Sequence, residues 1–336
     1  MQVLTNEIDK LALPAEWADH ESTLTIGSFD GIHTGHRFLI RQLVAEAEIA
    51  GRLSGLVTFY PHPATVLHPR RPARHLTTPG EKTALLELLG LDWIAILPFT
   101  RRLASMSPRV FVQHLYHQVN MRTLWVGAGF ALGQCRRGNI ARLRSLADEM
   151  GFDIREISPI TQDGHRVSST HIRTLLRRGR VEKAARLLKR YYSISGEVIY
   201  GVQRGRCIGF PTANLDVRPD RVLPVDGIYA SFAYLGSERR QAVVYIGVQP
   251  SFDQGARSIE AHLLDFDRDI YGCDLVIEFV ARLRPDRRFP DVKDLIAQIG
   301  RDVEQARQIL SSAEKEGSES ALQIPTKRDI ILVDRG

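Results

Sequence analysis

Two histidines three residues apart, His33 and His36, stand in the run Gly27-Ser28-Phe29-Asp30-Gly31-Ile32-His33-Thr34-Gly35-His36. Glycines let a backbone approach a phosphate closely, and a helix beginning here offers unpaired amides and a partial positive charge. Facing one anion, His33 and His36 suit the stabilisation of charge developing on an α-phosphate during nucleotidyl transfer, whether protonated or donating. The plainer reading is a pair of surface or core histidines beside a glycine turn; an apolar run before the turn and a helical pattern after it weigh against that. Gly196 to Leu215 holds a second glycine-rich segment with Gly201, Gly205 and Gly209, ending in Gly209-Phe210-Pro211-Thr212-Ala213-Asn214. A hairpin tip of this kind can wrap phosphates with its amides, and Thr212 and Asn214 offer neutral oxygens two apart, able to ligate a hard cation such as ATP-bound magnesium. A lone Gly-x-x-Gly would be a turn between strands. Ser168, Ser169 and Thr170 with Arg173 one turn on form an anion site at a helix start, or a simple helix cap. Transfer of a phosphoryl group to a hydroxyl also needs a proton acceptor, for which a carboxylate fits.

The elements that must hold these residues follow from periodicity. Thr23–Ser28, Gly55–Tyr60, Asp92–Leu97, Thr123–Gly127 and Asp153–Ile157 are short apolar runs about 30 residues apart, the spacing of βαβ units. Between the first two, Leu39, Ile40, Leu43, Val44 and Ala47 recur at helical spacing and Gly51 closes the helix; Gly90 and Gly151 end two more. Parallel strands joined by helices predict a doubly wound sheet that places its ligand beyond the carboxyl ends of its strands, where the histidine loop falls. Ser168 to Arg190 reads as two short helices broken at Gly179, and from Ser195 the period changes to 2. Gly196–Tyr200, Gly227–Leu235, Gln241–Gly247, Arg257–Phe266 and Cys273–Leu283 predict a small antiparallel β-barrel. Asp291 caps a final helix with Val292, Leu295, Ile296, Ile299, Val303 and Ala306 on one face, suited to cover the barrel's open side. The expected domains are 1–190 and 191–312, with a polar tail over 313–336 whose Ile330 to Val333 has the pattern of a short strand.

At 336 residues the chain has length for about two domains. Its 43% hydrophobic and 25% charged residues are those of a folded protein. No apolar stretch approaches the ~20 residues of a membrane helix, and Met1 to Lys10 lacks the pattern of a secretory signal, so a cytoplasmic protein is expected. Cys135, Cys207 and Cys273 are each more than 60 residues from the next, which suits neither a zinc knuckle nor a disulfide framework and leaves reduced thiols. The net charge of +6 permits nucleic acid, anionic lipid or small phosphates as partners. The excess is mostly scattered Arg pairs without aromatic interleaving, which describes a solvated surface.

The histidine run resembles the adenylyltransferase half of the bacterial bifunctional riboflavin kinase/FMN adenylyltransferases (FAD synthetases), whose superfamily carries His-x-Gly-His. Thr58-Phe59-Tyr60-Pro61-His62-Pro63 is similar to the family's Phe-x-Pro-His-Pro segment near the flavin, and Val167 to Arg173 to its Ser-Ser-Thr-x-Ile-Arg motif at the ATP phosphates. Gly196 to Leu215 resembles the riboflavin kinase module, and Ser258-Ile259-Glu260-Ala261-His262-Leu263-Leu264-Asp265-Phe266 its Glu-x-His-Leu-Leu-Asp-Phe strand. Unaided, alternation makes Glu260 a solvent-facing strand residue; the resemblance makes it the base. Ile246-Gly247, Pro250-Ser251-Phe252 and Tyr271-Gly272 also fit, with Tyr245 where the family usually has Asn.

The resemblance implies catalytic Glu260, His33 and His36, and ATP contacts at Gly27, Phe29, Asp30, Gly35, Ser168, Ser169, Thr170, Arg173, Gly201, Gly209 and Pro211. It implies flavin contacts at Pro61, His62 and Pro63 and magnesium ligands at Thr212 and Asn214. Riboflavin, FMN, FAD and ATP are the expected partners, with FMN and FAD as substrate and product, magnesium accompanying ATP, and neither nucleic acid nor membrane. One departure stands out. Where the family has Val-Gly-Glu-(Asp/Asn)-Phe-x-Phe-Gly, this chain reads Val126-Gly127-Ala128-Gly129-Phe130-Ala131-Leu132-Gly133, without the polar residue at 129 or the aromatic at 132. The alternative function is therefore riboflavin kinase alone, with an impaired adenylyltransferase half. A basic RNA-holding module is the rival from another class, marked by salt-sensitive oligonucleotide binding without ATP turnover.

Overall fold

The computed structural model describes residues 1–70, 73–133, 137–201, 204–248 and 257–315, in two compact units that divide after Ser168. In the first, β1 (Gln2–Leu4), β2 (Ser22–Ile26), β3 (Leu53–Tyr60), β4 (Trp93–Pro98), β5 (Met121–Gly127) and β8 (Asp153–Ile157) form one six-stranded sheet. Its order is β1-β4-β3-β2-β5-β8 and every neighbouring pair is parallel. Two small hairpins, β6 (Ala131–Leu132) with β7 (Gly138–Asn139) and β9 (Thr161–Gln162) with β10 (His165–Arg166), decorate it. The helices are α1 (Thr34–Ile49), α2 (Pro63–Leu67), α3 (Pro79–Glu87), α4 (Arg101–Ser105), α5 (Pro108–Gln118) and α6 (Ile140–Met150).

Alternation along β2 shows how the sheet is covered. Leu24 and Ile26 join Phe111, Val112 and Leu115 of α5 and Leu143 and Leu146 of α6 in one core. The intervening Thr23 and Thr25 are buried on the opposite side, where α1 packs on β2, β3 and β5 and Trp125 of β5 donates its indole N–H to Glu46 of α1. Both faces are thus covered, as a parallel sheet requires. The expected strands are all present within two residues at each end, and β1 is an addition. Gly51, Gly90 and Gly151 take positive φ at the helix ends where the sequence placed them. At Gly55 a Cβ would meet the Trp93 indole at 2.2 Å, so this glycine is what lets Trp93 lie fully buried against the neighbouring strand.

In the second unit α7 (Ser169–Arg177) and α8 (Val181–Leu188), separated at Gly179 (φ +69°), precede a closed antiparallel barrel. Its strands β11 (Tyr192–Ile199), β12 (Ala213–Val217), β13 (Gly227–Leu235), β14 (Glu238–Val248), β15 (Arg257–Leu263) and β16 (Asp274–Arg284) run in the order β11-β12-β15-β14-β13-β16. The barrel has six strands rather than the five expected: β12 begins within the Pro-Thr-Ala-Asn string and runs on to Val217, where turn-forming Pro, Asn and Asp conceal it. A single-turn helix α9 (Arg204–Cys207) follows the first glycines, and α10 (Val292–Lys315) ends the described chain. Asp291 caps α10 through the Asp294 amide at 2.8 Å.

The expected face of α10 is buried only along its later turns. Val292 and Ile296 are exposed, and the helix packs through Ala306, Leu310 and Ala313 on Ile228, Ala230, Phe232, Val243 and Val280. It covers the outer wall of β13, β14 and β16, because hydrogen bonding between β11 and β16 leaves no open side. Ala313 to Lys315, expected in the polar tail, belong to its last turn. Ile330 to Val333 and Cys135 lie outside the described residues.

Candidate active sites

The parallel sheet reverses its winding at β2: the chain moves from β2 through β3 to β4 on one side, then crosses to β5 on the other. The loop following β2 therefore lies at the topological switch point, where open α/β sheets bind ligands. Phe29 (φ 44°), Gly31 (φ 85°) and Ile32 (φ 40°) all take left-handed backbone there. For Phe and Ile this costs on the order of 1–3 kcal/mol each, so other contacts must hold the loop. Asp30, 2% exposed, accepts the amides of Leu76 (3.0 Å) and Thr77 (3.1 Å), and the Thr77 hydroxyl (3.2 Å) in turn accepts the Gly31 amide. The resemblance implies Asp30 as an ATP contact; in the fold its carboxylate fastens the turn.

His33 caps α1, its Nδ1 accepting the His36 amide at 3.3 Å, which leaves Nε2 to carry the proton. The two imidazoles stack with centroids 3.7 Å apart, and Phe29 packs edge-on against His36 at 5.0 Å. Enclosure of its ring, with His33 and the Lys82 charge close by, holds His36 well below the ordinary imidazole pKa. It is a neutral donor at pH 7 rather than a cation. A Cβ on Gly27 would lie 3.0 Å from the Phe29 ring and one on Gly35 3.3 Å from the His33 ring, so both glycines serve the packing of this cluster.

Lys82 of α3 is the residue the sequence reading missed. Its Nζ donates to the Ser28 carbonyl (2.8 Å) and the Thr58 hydroxyl (3.2 Å) beneath the same loop. Nothing in the sequence sets this lysine apart from a solvated helix residue; only the capping box of Thr78 and Glu81, which fixes where α3 begins, aims it inward.

Pro61, His62 and Pro63 follow β3 directly, with His62 capping α2 through the Ala64 amide (3.1 Å) and its ring 5.7 Å from His75. The departing segment after β5 keeps a turn: Phe130 donates to the Gly127 carbonyl and Gly129 has φ +79° with open space where a side chain would stand. Gly, Asn and Asp all accept that backbone, so the substitution removes a side chain and preserves the turn. Leu132 packs against the sheet core. Ser168 is the last residue of the first unit, while Ser169, Thr170 and Arg173 lie on α7 of the second.

In the barrel three predicted residues come together. Asn214 of β12 is paired directly with Glu260 of β15, and the Thr212 hydroxyl donates to Glu260 Oε2 at 3.2 Å. Glu260 is half-buried and turned to this group, where alternation had suggested a solvent-facing side chain. A Cβ on Gly201 would meet the Asn214 amide nitrogen at 2.1 Å, and one on Gly205 the Phe210 carbonyl at 2.3 Å, so both glycines let the loop pass against these residues. Gly209 (φ +84°) and exposed Pro211 form the rim, and His262 Nδ1 lies 2.8 Å from the Pro211 carbonyl oxygen. Beside them opens a cleft of about 280 Å³ lined by Val198, Pro211, Thr212, Ala213, Ile270 and Tyr271. Tyr245 stands across from Glu260 on β14, with its hydroxyl donating to Asp286 (3.2 Å). Pro250, Ser251 and Phe252 lie outside the described residues.

Both halves match family models: FAD synthetase over residues 15–171 and riboflavin kinase over 188–310. The bifunctional riboflavin kinase/FMN adenylyltransferase of Listeria monocytogenes is 34% identical over 301 residues, which is 89% of this chain and 96% of that protein. The Escherichia coli protein of the same name is 34% identical over 287 residues, 85% of this chain and 91% of its own. The crystal structure of a macrolide-efflux protein from Streptococcus pneumoniae shares the fold over 91% of this chain and 99% of that one, with a TM-score of 0.82 and 26% identity. Among the described residues of this chain no helix is long and apolar enough to cross a membrane. With both halves matched in order and relatives aligned along nearly their whole length, the chain belongs to the bifunctional riboflavin kinase/FMN adenylyltransferase family.

Proposed function

We propose that the chain phosphorylates riboflavin to FMN with ATP and then adenylylates FMN to FAD with a second ATP, the first reaction in residues 191–312 and the second in 1–190. The observation that carries the reading is the convergence of Thr212, Asn214 and Glu260 on adjoining strands. Together they present a hydroxyl, an amide carbonyl and a carboxylate, a set of hard oxygens suited to magnesium, with Thr212 and Asn214 as its ligands. A magnesium ion held there neutralises charge on the ATP phosphates. Glu260 accepts the proton of the terminal ribityl hydroxyl while its oxygen bonds to the γ-phosphorus and ADP leaves. The amides of Gly201 and Gly209 hold the phosphate chain, with Pro211 bordering it.

In the first unit a phosphate oxygen of FMN bonds to the α-phosphorus of ATP, the bond to the β-phosphate breaks, and pyrophosphate leaves. His33 and His36, as neutral donors at the start of α1, stabilise the charge that builds on the α-phosphate, and the backbone from Gly27 to Gly35 lies close to it. Phe29 packs the histidines in place and Asp30 fixes the turn, and Ser168 supplies a further phosphate donor. Pro61, His62 and Pro63 border the flavin. Exposed Cys207 and Cys273 stay reduced in a cytoplasmic setting. The kinase-only alternative is not favoured, since both halves match their family models and Gly129 retains the turn after β5.

The test is chromatographic: purified protein with riboflavin, ATP and Mg²⁺, sampled over time. FMN followed by FAD is the expected course. FMN alone, with no FAD when FMN is supplied directly, would return the kinase-only reading, and neither product would remove both.

A further inference from the structure

We propose that Lys82 is a positioning residue for adenylyl transfer, its ammonium both tying the floor of the histidine loop to α3 and setting a positive charge behind His36. The assignment rests on the adenylyltransferase reading of the first unit. Lys82 Nζ and the Thr58 hydroxyl both donate to the Ser28 carbonyl, at 2.8 and 3.2 Å, and Nζ also reaches the Thr58 hydroxyl at 3.2 Å. Ser28 immediately precedes Phe29, so these bonds act on the loop where the backbone first turns left-handed. The charged and titratable groups facing the lysine are Asp30 and His36, with His33 stacked behind His36. The adjoining Glu81 is engaged with the Thr78 amide. A loop tether alone would need no charge.

The charge is conditional. Burial lowers the Lys82 pKa to about 8, with Asp30 pulling the other way. Lys82 is therefore cationic at neutral pH, and a rise through pH 8 removes a positive charge from the surroundings of the forming α-phosphate anion.

The experiment measures kcat/KM for ATP in FAD formation from supplied FMN between pH 6.5 and 10, which reports groups of the free enzyme. Wild type, K82R and K82M are compared, with emission of the buried Trp93 as the control for folding of the first unit and FMN formation from riboflavin as the control for the rest of the chain. Wild type should lose about tenfold per pH unit above roughly pH 8. K82R should move that alkaline limb upward, because a guanidinium stays charged throughout. K82M should fall about 10- to 100-fold at pH 7, the loss of a charged hydrogen-bond donor, and show no limb. Should K82M fail to fold, the shift of the limb in K82R alone decides. An unmoved limb in K82R, or none in wild type, overturns the proposal. A wild-type chain that makes FMN and no FAD overturns the adenylyltransferase reading itself.

Discussion

Substituting Gly201 by alanine adds one methyl group to a loop and should disable the kinase without unfolding it. The Cβ would stand 2.1 Å from the Asn214 amide nitrogen and 2.5 Å from its Cγ, where ordinary contact begins at 3.4 Å. The Asn214 amide must therefore move by more than 1 Å, away from its place opposite Glu260. Gly201 does not use left-handed backbone, so alanine fits the main chain and the fold should survive with a stability change within about 1 kcal/mol. A misplacement of ~1 Å in a positioned group costs roughly 10²-fold in rate, or about 2.7 kcal/mol of transition-state stabilisation. FMN formation by G201A, followed by chromatography under saturating riboflavin and ATP, should fall by that factor while FAD formation from FMN stays at the wild-type rate. A double-mutant cycle makes the mechanism explicit. In an N214A background the amide is gone, so G201A should cost almost nothing further, and the coupling energy should equal nearly the whole effect of the single change. FMN formation by G201A within twofold of wild type, or losses that add in the double mutant, would refute the reasoning.

E260Q should abolish FMN formation and spare FAD formation from FMN, while H36A should do the reverse; loss of both activities from either folded variant would contradict separate sites. Because His36 is held neutral, acidification protonates the unfolded chain first. Stability conferred above the ordinary imidazole pKa of 6.5 should decline as pH falls below that value, and this slope in urea midpoints should vanish in H36Q. D302A should destabilise the barrel unit by about 3–5 kcal/mol, since Asp302, nearly fully buried on α10, pairs with Arg284 of β16 at 2.8 Å and its loss leaves the guanidinium unpaired; a guanidinium chloride titration checks this. G129N fits the positive-φ turn and its open space, and should lower KM for FMN in FAD formation if a polar group there holds flavin; an unchanged KM would say it does not.

Much of this was legible in the sequence. The parallel strands and both glycine-rich loops follow from apolar periodicity and from residues whose backbone needs are specific; Thr212 and Asn214 follow from neutral oxygens two apart, and Glu260 from the family resemblance, and the barrel brings all three together. Features set by tertiary partners were not legible. β12 hides among residues that otherwise signal turns. The apolar side of α10 near its start points into water because the barrel wall meets only the later turns, where Asp302 is buried by virtue of Arg284, a residue 18 positions away. The fastening of the loop by Asp30 was not legible either, since no local pattern announces Leu76 and Thr77 as its partners. Lys82 gave no signal at all.

The slot that Gly55 opens for Trp93 has a practical consequence. Trp17, Trp93 and Trp125 are the chain's only tryptophans, and all precede Ser168, whereas seven of its nine tyrosines follow it. Emission excited at 295 nm, a wavelength chosen to spare tyrosine, therefore reports on the first unit alone, and Trp93, fully buried in the sheet, should emit in the blue until that unit melts. The chain carries an intrinsic optical label on one half. Melting of the two units can be separated in the unmodified protein, by emission for one and tyrosine absorbance mainly for the other.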